Sequence, residues 1–160
     1  MSTTNTTYGV AIPSVPADLI VPLEKMNELN PVVLRRQDGS VYQMDWYRVY
    51  TSNQELTNWI IEHFPIEVEL VEYVVSDRGI FMHTDLGRDC AYNYLIDAGG
   101  INIVTEFYNT DQIQLLDSIE YQTNKWYKLN VGTPHQVVGT QTRPRFLISV
   151  TPKAGITYRF

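Results

Sequence analysis

The sequence predicts a mainly β domain of the α+β class, with helical cover from the N-terminal third over a sandwich, barrel or jelly roll. Three observations point there. Beyond Pro65 the chain breaks into short runs rich in Val, Ile, Tyr and Phe, each bounded by Gly, Pro, Asn or Asp, a pattern of strands and turns. Ahead of Pro65 one stretch has helical period. The chain also carries 11 Tyr, 5 Phe and 3 Trp, side chains that suit pleated, half-buried surfaces.

Taken in order, residues 1–16 are Ser/Thr-rich and then punctuated by the prolines of IPSVP, which predicts an extended or mobile N-terminal arm. Residues 17–160 are expected to form a single domain, because a chain of 160 residues can enclose a core without disulfides. The run ADLIVPLEKMNELN at 17–30 predicts a short helix that Pro22 limits to a start at that residue. Asp38-Gly39 favours the positive φ angles of a tight turn and predicts a β-hairpin over 32–50. Ser52 as N-cap with Glu55 three residues on, then Leu56, Trp59, Ile60 and His63 at helical spacing, predicts a helix stopped by Pro65. The strands expected after it are IEVELVEYVVS, GIFMHTD, AYNYLIDA, INIVTEFYN, IEYQTNKWYKLNV, HQVVGT and RFLISVTP. No internal repeat or low-complexity block interrupts them.

Composition excludes several function classes. Lys and Arg total 12 against 18 Asp and Glu, a net charge of −6, and no basic run interleaved with aromatics supplies the phosphate attraction that nucleic-acid binding needs. No nucleic-acid partner is expected. No window is apolar enough to span a bilayer, and the start MSTTNTTYGV lacks the basic and apolar regions of a secretory signal, so a cytoplasmic location, bacterial or phage-infected host, is expected with no membrane partner. Cys90 is the single cysteine and cannot form an internal disulfide or a thiolate metal cluster.

The histidines are only three, His63, His83 and His135, and two of them fall at strand ends. His83 and Asp85 are two apart, so on an extended strand both leave one face and can share a cation. Taken alone, such a pair is common and reads as a surface pair. A second imidazole, His135, would complete a set of two imidazoles and one carboxylate that leaves coordination positions open, the ligand set of non-haem Fe(II) oxygenases. Ten residues beyond His135, Arg145 begins an alternating strand and shares its face with Leu147 and Ser149. A guanidinium there is a natural partner for a carboxylate.

These residues, in this order, make the chain resemble the 2-oxoglutarate and Fe(II)-dependent oxygenase superfamily. The pattern is realised as His83-Thr84-Asp85, His135, Arg145 and Ser149, and the resemblance runs from about Tyr73 to Pro152, half the chain. HTDLGRDCAYNYLIDAGGINIVTEFYN is similar to small bacterial and phage members, and WYKLNVGTPHQV to the Pro-His entry of the distal ligand. Arg143 departs from the pattern by competing with Arg145. The resemblance implies a double-stranded β-helix, the jelly roll in which three ligands line the open end. It implies that His83, Asp85 and His135 are the catalytic metal ligands and that Arg145 pairs with the far carboxylate of 2-oxoglutarate. Tyr73, ten residues before the first ligand, matches a tyrosine of the prolyl-hydroxylase-like branch that helps to hold the same carboxylate. Asn93 is the inward polar group of its strand by alternation, with Tyr94 the alternative if the strand bulges.

The implied activity is hydroxylation of a C–H bond coupled to decarboxylation of 2-oxoglutarate to succinate and CO2, with Fe(II), O2 and ascorbate as reductant. A peptidyl or amino-acid-like substrate is the expected partner, by likeness to prolyl- and aspartyl/asparaginyl-hydroxylase-type members. Two rivals stand beside it: a catalytically silent jelly-roll binding or virion-type structural protein that keeps the metal site, and a cupin-like metal enzyme without 2-oxoglutarate, which has no need of Arg145. Simpler readings apply elsewhere: Arg88 as a salt-bridged strand end or substrate anchor, Cys90 as a small core residue, His63 as a packing residue, Arg143 as extended and solvated, and Trp46, Trp59 and Trp126 as core aromatics.

Overall fold

A computed structural model describes residues 6–153, with side chains from residue 10 onward. In chain order the elements are β1 (Thr6–Gly9), β2 (Leu34–Arg35), β3 (Val41–Tyr42), β4 (Tyr47–Thr51), α1 (Gln54–His63), β5 (Val68–Ser76), β6 (Ile80–His83), β7 (Ala91–Asp97), β8 (Gly100–Tyr108), β9 (Leu115–Ile119), β10 (Trp126–Leu129), β11 (His135–Gln141) and β12 (Arg145–Pro152). Two antiparallel sheets form the body, one of order β1-β10-β7-β12-β5-β4 and one of order β6-β11-β8-β9, with β2-β3 as a separate ribbon. None of the helices among the described residues is long and apolar enough to cross a membrane.

Helix α1 follows from its pattern. Leu56 and Ile60, four apart, are fully buried on one face, Glu55 and His63 sit at the helix ends that favour their charges, and Pro65 stops the run. The cap is Asn53 rather than the expected Ser52, and neither side chain caps the helix. Asn53 is diverted, its Nδ2 donating to the Leu19 carbonyl at 3.1 Å and its Oδ1 accepting from the Tyr73 hydroxyl at 2.7 Å, while Ser52 Oγ pairs with Thr57 Oγ1.

Three expectations change in detail. The helix expected at 17–30 is two 3-10 turns, Ala17–Leu19 and Leu23–Glu28, separated at Pro22, which has no N–H to continue a ladder. The hairpin expected over 32–50 is confined to β2 and β3 around Gly39, whose φ is +88°. β4 leaves it to pair with nine-residue β5, Tyr47 opposite Ser76 through Thr51 opposite Glu72, a longer ladder than two-residue β2 offers. The segment read as one strand from Ile119 to Val131 is split, with Asn124 at φ +63°; β9 joins one sheet and β10 the other.

The N-terminal segment is extended and fastened along the larger sheet. Thr6–Gly9 pairs with β10, Trp126 Nε1 donates to the Pro13 carbonyl at 3.1 Å, and the Val15 N–H donates to the Tyr94 hydroxyl at 3.2 Å. Residues 1–5 of the expected arm lie outside the described residues.

The larger sheet is buried on both faces. Its outer face, including Tyr73, Tyr92, Tyr94, Phe146, Ile148 and Val150, packs under α1 and the N-terminal segment. The inner face carries Val74, Ala91, Leu95 and Leu147, which meet Phe107 and Ile119 from the smaller sheet. Alternation along β12 puts Arg145 and Ser149 on that inner face with Leu147, and β12 lies between β5 and β7 so that Ser149 stands opposite both Glu72 and Asn93. This inner space holds the functional groups.

Candidate metal centre

His83 ends β6 and His135 begins β11, and antiparallel pairing sets the two directly opposite each other. Asp85, just past the strand, is held by its N–H on the Val131 carbonyl at 2.9 Å. Positive φ at Gly87, +83°, reverses the chain so that Arg88 comes back onto Asp85.

Each imidazole donates its Nδ1 proton to a backbone carbonyl, His83 to Phe81 at 2.8 Å and His135 to Thr133 at 2.7 Å. A carbonyl can only accept, so in the neutral ring the Nε2 lone pair is the free one. Both Nε2 atoms face Asp85 Oδ1, at 3.3 Å from His83 and 3.4 Å from His135. The three ligand atoms lie within 4.8 Å of one another. This donor set fits a divalent cation that accepts nitrogen and oxygen.

Arg88 secures the other side of the carboxylate. Its Nε and Nη2 both reach Asp85 Oδ2 at 2.8 Å, and its Nη1 donates to Ser149 Oγ at 3.0 Å and Thr151 Oγ1 at 2.9 Å. Oδ1 is thereby left to the histidines. Burial works to raise the Asp85 pKa, but hydrogen bonds from His135 and His83 and the Arg88 charge outweigh it and hold the carboxyl well below the usual range. For His83, burial works downward, and its bonds to Asp85 and the Phe81 carbonyl prevail, so its pKa is raised.

Arg145 lies deeper, buried on the inner face with its Nε unpartnered. Its guanidinium stands 5.4 Å from the centre of the Tyr121 ring. Among the described residues no carboxylate pairs with it, and burial lowers its pKa while Tyr121 and Tyr47 raise it. Asn93 is on the same inner face, and its buried Oδ1 also lacks a partner. Tyr94 points the other way, into the outer core.

Tyr73 is not brought into this space. It belongs to the outer core, where its hydroxyl donates to Asn53 and accepts from the Val21 N–H at 3.0 Å. Its assignment to the cosubstrate is corrected on that ground: neighbouring Glu72 and Val74 occupy the inner face. Arg143 is exposed and forks onto Asp97, with contacts of 2.8–3.0 Å. His63 stacks on Trp59 at the surface, Cys90 packs against the outer core, and Trp126 is buried.

A cleft of about 770 Å³ opens in front of His83, Asp85 and Arg88. Trp46, expected in the core, instead lines it, together with Tyr47, Glu72 and Phe81. Tyr47, Tyr121, Glu72 and Trp46 are the site-forming residues that sequence reasoning missed. Tyr47 interacts electrostatically with both Asp85 and Arg145. It thus connects the ligand cluster with the deeper guanidinium.

The sequence matches no protein-family profile and no curated protein. Among solved structures it is similar to oxalate decarboxylase from Lactobacillus farciminis in its formate complex, with TM-score 0.50 and 11% identity over 80% of this chain and 32% of that one. A variant of Bacillus subtilis oxalate decarboxylase gives TM-score 0.50 and 12% identity over 88% and 35%. The chain therefore spans about a third of the length of these decarboxylases. At such identities the likeness concerns the fold alone: this chain forms a double-stranded β-helix jelly roll, with a candidate His/Asp metal site where β6 and β11 meet.

Proposed function

We propose that this chain is a 2-oxoglutarate- and Fe(II)-dependent oxygenase that hydroxylates a C–H bond of a peptidyl or amino-acid-like substrate. The observation that carries the reading is Arg145, a guanidinium buried in the jelly-roll interior with no acidic partner among the described residues. Burying a charge without a counter-charge is costly, and a jelly roll has no structural requirement for it. A ligand carboxylate would supply the missing charge, with the Tyr121 and Tyr47 hydroxyls and Asn93 as further polar contacts. Tyr47 and Tyr121 take the place that sequence position suggested for Tyr73.

His83, Asp85 and His135 would hold the metal, and their three donors leave coordination positions for a keto acid and O2. Bound Fe(II) supplies the oxidative chemistry: the substrate C–H becomes C–OH, one oxygen atom of O2 enters that hydroxyl and the other enters succinate, and CO2 leaves. The residues of the chain do the positioning. The Phe81 and Thr133 carbonyls fix both imidazoles with Nε2 inward, Arg88 turns Asp85 Oδ1 toward them, and Arg145 anchors the distal carboxylate of the keto acid.

The test is titration of metal-loaded protein with 2-oxoglutarate. Arg145→Ala is expected to lose binding by roughly 3–5 kcal/mol, the cost of leaving one charge of a buried pair alone, with metal content retained, whereas exposed Arg143→Ala changes it little. Exposure of the Fe(II)- and 2-oxoglutarate-loaded protein to O2, with ascorbate, should yield succinate that is absent in Asp85→Ala. Tight binding of 2-oxoglutarate without succinate over a broad substrate panel would favour the silent jelly-roll reading. Oxalate consumption without 2-oxoglutarate binding would favour the chemistry of the structural neighbours.

A further inference from the structure

The cleft in front of the metal ligands has an uneven distribution of charge. On its floor, next to the Asp85–Arg88 pair, lies Glu72 of β5, half-buried. Arg88 is its nearby cation, but four of the N–H groups of that residue are directed at Asp85, Ser149 and Thr151. The Glu72 carboxylate takes part in no side-chain hydrogen bond or ion pair among the described residues; its electrostatic neighbours are Arg88 and Asp85. Burial raises its pKa first, and Asp85 raises it further against the opposing pull of Arg88. A half-buried carboxylate facing a second one is an arrangement that the fold alone does not favour, and a positive ligand would relieve it.

The walls agree with such a ligand. Tyr47 adjoins Glu72 closely enough to feel its charge, and Trp46 and Phe81 meet edge to face at 5.9 Å beside it. Aromatic faces hold cations; the Trp46 ring already does so, with the Arg78 guanidinium 4.3 Å from its centre, which leaves the Tyr47 and Phe81 rings to the ligand. Phe81, Leu86 and Leu70 line the cleft with 59%, 59% and 41% of their surfaces exposed, an apolar track for a methylene stem. The other two cations of the cleft are tied to their own hairpin. Arg35 donates to the Gly39 carbonyl at 3.2 Å, and Arg36 sits 4.9 Å over the Tyr42 ring.

We propose that the cleft selects a substrate with a basic nitrogen on an apolar stem, of lysine or arginine side-chain chemistry, the nitrogen seated on Glu72 and the stem lying along Phe81, Leu70 and Leu86 in front of the metal. This rests on the oxygenase reading for the fate of the bound C–H bond, and on the cleft alone for which ligand binds.

The experiment is calorimetric titration of Mn(II)-loaded protein, with and without 2-oxoglutarate, using the Nα-acetyl methylamides of lysine, arginine, norleucine and glutamate. Mn(II) prevents turnover, so binding is read directly. The lysine or arginine compound should bind about tenfold or more tightly than norleucine, in keeping with the strength of hydrogen bonds to charged groups. The preference should fall to near unity in Glu72→Gln and be partly kept in Glu72→Asp, with metal content and melting temperature as folding controls. Norleucine or glutamate binding as tightly as the basic compounds overturns the proposal, as does no binding of either basic compound at millimolar concentration, or a full preference in Glu72→Gln. If 2-oxoglutarate fails to bind while the basic preference persists, the oxygenase reading falls and the cleft assignment stands.

Discussion

At the scale of single residues, Arg88 shows how one side chain sets the chemistry of another. Its two contacts on Asp85 Oδ2 leave Oδ1 for the metal side. Arg88→Ala should therefore weaken metal retention by about 10–100-fold, the usual loss for a group that orients a ligand, while Ala at His83, Asp85 or His135 should abolish it. Arg88→Lys should recover only part, because an ammonium cannot fork; dialysis against a chelator series with metal analysis measures all five. The same cluster gives a pH dependence of definite sign. The raised pKa of His83 means that in metal-free protein its stabilising contribution is full below the ordinary value of 6.5 and is lost as pH rises through the higher folded value. Metal must displace that proton. Retention should thus weaken as pH falls, beginning above 6.5, so denaturant midpoints of metal-free protein and metal affinity should move in opposite directions across this range. The three candidate ligands could be read from the sequence because His83, Asp85, His135 and Arg145 follow in an order that resembles an oxygenase pattern; the His83–Asp85 spacing alone reads as a surface pair. Glu72 and Tyr47 could not, since nothing local marks a strand residue as facing a metal.

At the scale of elements, legibility depended on whether one face of a segment differed from the other. Helix α1 was legible because Leu56 and Ile60 share a face and Pro65 ends it. In β5, Tyr73 was expected at the site from its position ten residues before His83, whereas Val71, Tyr73 and Val75 share the outer apolar face and Glu72 and Ser76 the other. In β12, by contrast, Arg145 and Ser149 alternate with Phe146, Ile148 and Val150, and the register could be read. Partner choice, such as β4 pairing with β5, depends on residues far apart in the chain. The tight turn between β7 and β8 controls where β12 begins. Gly99 has φ +84°, and a Cβ there would meet the Arg143 carbonyl oxygen at 2.7 Å and the Arg145 nitrogen at 2.9 Å. Gly99→Ala should cost roughly 1–3 kcal/mol through strain and overpacking, visible as a lower urea midpoint. It should also weaken 2-oxoglutarate binding through a displaced Arg145 while leaving metal content intact.

At the scale of the whole molecule, the jelly roll separates support from chemistry. Helix α1 and the N-terminal segment cover one face of the larger sheet, and the space between the sheets keeps the polar groups. A net charge of −6 adds a long-range attraction for basic ligands that should weaken with added salt. The pairing of His83 with His135 has a mechanical side as well. β6 is a four-residue border strand whose only sheet neighbour among the described residues is β11, with an irregular ladder between His135 and Val137. A cation shared by those two imidazoles would rivet the border to the interior from the side-chain side, independently of the peptide ladder. Chelation should then let amide protons of residues 80–88 trade with deuterium sooner, while the doubly flanked β12 keeps its own clock, and exchange mass spectrometry on the two forms would show whether the border opens first.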